Sequence, residues 1–172
     1  MMQMLAAGGL PVVTDGERTP DEDNPRGYYE WERIKLLPKE PALIEEAEGK
    51  VVKVISQLLF ALPPTCKYQI IFMQRALPEV IASQAEMIKR RGTAAPAVGE
   101  SVMMAALRSH LTQVDSWLTQ HSNIPLHRIE HRKLIGDPQA TAESIQKFLS
   151  VPLNIEAMAR QVDNSLYRHR SA

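Results

Sequence analysis

The chain has 172 residues, which suits one domain with a real core. Lys plus Arg equals Asp plus Glu at 20 each, so no basic excess points to a nucleic-acid partner. No apolar run reaches membrane-spanning length, the apolar N-terminus has no basic residue ahead of it to make a signal peptide, and the lone Cys66 excludes an intrachain disulfide, so a cytoplasmic protein is the expectation.

Residues 1–7 are rich in helix formers and run into Gly8-Gly9, a helix stop. No capping residue precedes them, and a free helix this short does not hold in water. Either the start is frayed or the sequence begins inside a helix. Residues 10–14 read as a short strand. Residues 15–26 form a loop with Pro20 and Pro25 as breakers. The next stretch, 27–35, sets Tyr28, Tyr29 and Trp31 among charges, either as a lid over a site or as a satellite of the core. Residues 41–49 read as a short acidic helix with a solvated face. Residues 51–56 read as a strand that carries one lysine, Lys53.

The run 69–74, Gln-Ile-Ile-Phe-Met-Gln, suits a strand covered on both faces of a parallel sheet. Pro78 stands where a helix can begin, and the pattern carries it to about residue 91. A small Ala/Pro loop follows at 92–99. Residues 100–120 make a long helix, with Val102, Ala106, Leu107, Leu111, Val114 and Leu118 at helical spacing. Residues 126–130 form the last strand. Asp137-Pro138 opens a helix that turns Ile145, Phe148 and Leu149 inward, and a short helix at 155–161 precedes a polar tail. Strands alternating with helices predict an α/β fold: a mainly parallel sheet flanked by helices, in a single domain over 1–172.

The most informative stretch is Met73-Gln74-Arg75-Ala76-Leu77-Pro78-Glu79-Val80-Ile81-Ala82-Ser83-Gln84. A buried strand ends, an arginine stands at its carboxyl edge, and a helix begins. Ligands of open α/β sheets bind at such edges. A helix N-terminus offers free N–H groups to an anion, and the arginine adds a planar fork suited to phosphate. Ser83, in the second turn, can add a hydroxyl. The plainer alternative is that Arg75 pairs with a nearby Glu and Ser83 lies on the helix surface.

These residues resemble the P-loop sulfotransferase family, whose members carry an arginine at a strand end and a serine eight positions later on the following helix. Three further stretches resemble its bacterial members. They are Asp23-Asn24-Pro25-Arg26-Gly27-Tyr28-Tyr29-Glu30; Lys53-Val54-Ile55 followed by Leu62-Pro63; and Leu134-Ile135-Gly136-Asp137-Pro138, leading through Phe148-Leu149 to Ser165-Leu166-Tyr167-Arg168-His169. Their shared order covers nearly the whole chain. The resemblance implies a P-loop NTPase-like fold and transfer of a sulfuryl group from 3′-phosphoadenosine 5′-phosphosulfate to a hydroxyl or amine. The acceptor class, a small molecule, glycan, lipid or peptide, is left open. It also implies that Arg75 and Ser83 bind the 3′-phosphate, and that Lys53 contacts the bridging oxygen of the donor.

The sequence departs from the family in two ways. Members begin with a strand and a Gly-, Ser- and Thr-containing loop that cradles the 5′-phosphosulfate. This sequence has no Gly-rich phosphate loop with a Lys or Arg, and residues 1–7 resemble the helix that follows that loop. The expectation is a shortened domain with little or no transfer activity, or a non-catalytic relative with a partial anion site. No Gly-x-x-x-x-Gly-Lys-Ser/Thr stretch supports a P-loop kinase. Second, the catalytic histidine of the cytosolic animal branch falls at Ile55, and the tyrosine of many relatives falls at His131. A carboxylate can serve as the base instead. Glu30 is the first choice and Glu17 the second; the alternative for Glu30 is a pair with Arg26 or Arg33. His127 and His131 would share a face as metal ligands only on a helix, and this segment reads as a strand without a third ligand, so no metal is expected.

Overall fold

The computed structural model describes residues 1–17, 27–90, 92 and 99–163. The Asp23-Asn24-Pro25-Arg26 stretch, most of the Ala/Pro loop and the closing 165–169 segment lie outside the described residues.

Two five-residue strands, β1 (Ile70–Gln74) and β2 (Leu126–Glu130), pair in parallel, with Ile70 opposite Leu126 and Gln74 opposite Glu130. Parallel strands need a long crossover, here carrying α2 (Leu77–Arg90) and α3 (Glu100–Gln120). The chain is thus a mixed α/β structure built on a small parallel sheet. Among the described residues no helix is long and apolar enough to cross a membrane.

Strand alternation sends even and odd residues to opposite faces. On one face Ile70, Phe72 and Leu126 pack against Leu59, Val114 and Leu118. Arg128 extends that row: it lies over the Phe72 ring, 5.6 Å from its centroid, and pairs with Asp115 of α3 at 2.8 Å. On the other face Ile71, Met73 and Ile129 join Met4 and Leu5 of α1 (Met2–Ala7), Ala142 and Ile145 of α5 (Pro138–Leu149) and Met158 of α6 (Ile155–Ala159). Both faces are covered, as the continuous apolar run of β1 predicts. A third cluster gathers Trp31, Ile34, Leu37, Leu43, Ile44, Ala47 and Leu58, so Trp31 belongs to a satellite core.

The helix ends follow local chemistry. Gly9 takes φ +99°, its N–H bonds Ala6 O at 3.0 Å, and the Leu10 N–H bonds Leu5 O at 3.1 Å. This paired return to the last turn is the Schellman closure that Gly8-Gly9 predicts. Asp137 caps α5 by accepting the Ala140 N–H at 2.9 Å, with Pro138 at the first helical position. Helix α4 (His131–Gly136) is an element the sequence reading lacks; it follows β2 directly and anchors on the buried Leu134.

The strands expected at 10–14 and 51–56 are corrected to a single parallel bridge, Val12 to Val51. Val51 N–H bonds Pro11 O and Val13 N–H bonds Val51 O, each at 2.8 Å. The ladder stops because the next donor, Asp15 N–H, turns to Glu30 O at 3.2 Å. From Ser56 the chain winds into a 3₁₀ segment, Ser56–Ala61, that buries Leu58 and Leu59. The acidic helix expected at 41–49 is a 3₁₀ helix, Pro41–Ala47, the tighter form common in short uncapped pieces. Helix α3 has the expected ends, but Val102 is 54% exposed; only its C-terminal half, at Val114 and Leu118, is buried against the sheet.

Gly8 fits where no side chain has room. A Cβ there would meet the Sδ of Met158 at 2.8 Å and its Cγ at 2.9 Å, and Met158 is fully buried. Gly8→Ala is expected to destabilise the fold by about 1–3 kcal/mol through overpacking, read from urea unfolding. A midpoint unchanged from the parent would show that α1 and α6 are not packed this closely.

Candidate functional site

The register ends at the pair Gln74 and Glu130, so Arg75 and His131 leave the same end of the sheet, and Arg75 acts electrostatically on His131. Arg75 Nε donates to Glu79 Oε2 at 3.1 Å. Glu79 stands in the first turn of α2 and is only 5% exposed. Ser83 lies one turn further along α2, half-buried and on the Glu79 side of the helix. Glu79 lies between Arg75 and Ser83 along the chain, four residues from each. The pairing weighed for Arg75 on sequence grounds is the one it makes.

Glu30 and Lys53 come together from 23 residues apart: Lys53 Nζ donates to Glu30 Oε1 at 2.9 Å. The pair is partly buried, with Glu30 23% and Lys53 40% exposed in their side chains. Local backbone geometry delivers Glu30 to this position. Tyr29, directly before it, takes φ +49°, in the left-handed region that bulky residues rarely adopt. The carbonyl of Glu30 accepts the Thr14 hydroxyl and the Asp15 N–H, both at 3.2 Å. The Asp15 carboxylate accepts N–H groups from Glu32 and from Glu17, which hold it below the ordinary carboxylate range. Arg33, weighed as a partner for Glu30, instead forms a two-point pair with Glu46 at 2.8 and 3.0 Å; Arg26 lies outside the described residues. Glu17 is exposed and contributes its N–H to the Asp15 turn.

The head of α1 lies within electrostatic reach of both Lys53 and His131. The Met1 amino group is buried there, and burial with Lys53 nearby lowers its pKa. It also acts electrostatically on His131, as do Arg75 and Glu79. The described contacts here give two ion pairs, Glu30–Lys53 and Arg75–Glu79, with the Met1 amine within electrostatic reach of Lys53 and of His131.

Ile55, the position at which the resemblance would put a catalytic histidine, is 52% exposed. The next residue, Ser56, has its Oγ 2.8 Å from His110 Nε2 of α3. His127 Nε2 lies 3.0 Å from Ser144 Oγ, and its ring stacks on Phe148 with centroids 5.2 Å apart. Among the described residues no group of three His, Cys, Asp or Glu side chains is placed to hold a metal.

Three of these groups, Glu79, His131 and the Met1 amine, went unassigned in the sequence reading. Glu79 was legible: it stands four residues after Arg75 at a helix start, the spacing of an ion pair. His131 was not, because only the strand register brings it to the end of the sheet that Arg75 leaves.

No protein-family model, curated protein or solved structure matched the chain.

Burial first, then the Arg75 and Met1 charges, lower the pKa of His131, while Glu79 opposes them. The unfolded chain takes up this proton near the ordinary value of ~6.5, and the folded chain resists it. This contribution to stability is present above ~6.5 and falls as pH drops towards the folded pKa. Urea unfolding between about pH 5 and 8 is expected to show a stability loss on acidification that His131→Gln reduces. An equal slope in the variant would count against the placement of His131.

Proposed function

We propose that this domain is of the sulfotransferase type and binds the 3′-phosphate of 3′-phosphoadenosine 5′-phosphosulfate at the carboxyl edge of β1. In this reading Arg75 and Ser83 hold the phosphate, assisted by the N–H groups at the start of α2. Glu30 takes the proton from an acceptor hydroxyl or amine as that atom attacks sulfur. The bond from sulfur to the bridging oxygen breaks, and Lys53 steadies the charge left on the departing phosphate. The acceptor is a small molecule, or a group on a glycan, lipid or peptide.

The observation that carries the reading is the Glu30–Lys53 contact. The two residues that the resemblance assigns to the transfer chemistry meet at 2.9 Å, though they stand 23 residues apart in sequence. No Gly-rich loop for the 5′-phosphosulfate occurs in this sequence, so transfer by the 172-residue chain itself is expected near background. The pairing of Arg75 with the buried Glu79 favours a second reading, a non-catalytic protein of this fold in which the arginine is structural.

Calorimetric titration with adenosine 3′,5′-bisphosphate separates the two. The sulfotransferase reading expects saturable binding. Arg75→Lys keeps a charge against Glu79 but loses the planar fork, and should weaken binding about tenfold. Ser83→Ala should weaken it about threefold, the scale of a neutral hydrogen bond. Glu30→Gln, on the acceptor side, should leave it unchanged. No binding, or binding indifferent to Arg75→Lys, would favour the structural reading.

A further inference from the structure

A dianionic ligand at Arg75 would change the charge balance around His131. Arg75 and His131 follow the paired residues Gln74 and Glu130 and so leave the same end of the sheet, and Glu79 is bonded to that same Arg75. The groups acting on the imidazole come from three directions: Arg75 after β1, Glu79 on α2, and the Met1 amine at the head of α1. On its own helix, Arg132 and Lys133 are exposed, and Lys133 is bonded to Glu130 of β2 at 2.6 Å. On α5, which packs against α4, Glu143 and Lys147 are exposed. Among the described groups that act on the imidazole, Arg75 and the Met1 amine disfavour its positive form and Glu79 favours it.

We propose that His131 and Arg75 form a two-part anion clamp: when the nucleotide phosphate reaches Arg75, His131 takes up one proton from solvent and becomes a second cationic hydrogen-bond donor to it. This rests on the sulfotransferase reading of the same edge and adds a residue and a proton to it. The phosphate offsets the charge of Arg75, and the imidazolium gains both the phosphate and Glu79 as opposite charges. No covalent bond forms or breaks. The neutral state of His131 in the empty site follows from the same surroundings, since burial and Arg75 both disfavour the imidazolium. A tyrosine at this place, as in many sulfotransferases, could not make this charge change near neutral pH.

By linkage, a ligand that raises the pKa of a group binds more tightly as pH falls towards the pKa of the ligand-free group. One proton gives a gain of at most about tenfold per pH unit. The nucleotide titrates as well, with a second phosphate pKa of ~6, so His131→Gln serves as the reference that shares the ligand's behaviour.

The test is calorimetry on the full chain with adenosine 3′,5′-bisphosphate, from about pH 5.5 to 7.5, in pairs of buffers with different ionisation heats. The expected result is uptake of a fraction of a proton, up to one, beyond that seen with His131→Gln, and an affinity for the parent chain that rises more steeply on acidification. NMR titration of the His131 ring in the unaltered chain gives a second reading that does not need the variant: its pKa should rise by about one unit or more when the nucleotide is added. If the nucleotide binds with the same proton count in both proteins and the ring titration does not move, the clamp is wrong and the Arg75 site stands. Failure to bind at any pH would overturn both.

Discussion

The parallel pairing of β1 with β2 is the constraint from which the rest of the structure follows. Two strands have too little area to hold together in water without cover. Parallel strands also require cover on both faces, because their crossover lays helices over the sheet. Here α3 with the Ser56–Ala61 segment closes one face, and α1, α5 and α6 close the other. The pairing also decides which residues meet where the strands end. Register, and no local signal, brings Arg75 and His131 out at the same end of the sheet.

That edge carries more charge than a packed interior readily holds. Glu79 is buried, and a buried carboxylate is costly without a paired cation. Arg75 provides the cation from four residues before it, and Lys53 does the same for Glu30. Each pair sets a carboxylate against a cation in a small cluster of opposite charges. Such a cluster can be a structural fastening or a place where an anion exchanges partners with a carboxylate. We take the second view, on the contact of Glu30 with Lys53.

Elements with a strong local pattern were legible in the sequence. The apolar run of β1, the Gly8-Gly9 stop and the Asp137-Pro138 start each act through their own backbone, and each is found where the residues point. The strands read at 10–14 and 51–56 fail for a reason that is not local. Their β-branched residues do align in parallel at Val12 and Val51, but Glu30, far along the chain, takes the N–H that would extend the ladder. Val102 has helical spacing yet faces water, because α3 outruns the short sheet it covers. In the site, the Arg75 and Glu79 spacing could be read directly. The meeting of Glu30 with Lys53 depends on the left-handed turn at Tyr29, which a tyrosine gives no reason to expect.

A crystal structure of the chain with adenosine 3′,5′-bisphosphate bound would address the central claim most directly, that the carboxyl edge of β1 and β2 is an anion site. The expected result places the 3′-phosphate against the guanidinium of Arg75, with Ser83 and His131 within hydrogen-bond reach. A phosphate seated elsewhere, with Arg75 still bonded to Glu79 as it is in the free chain, would contradict it.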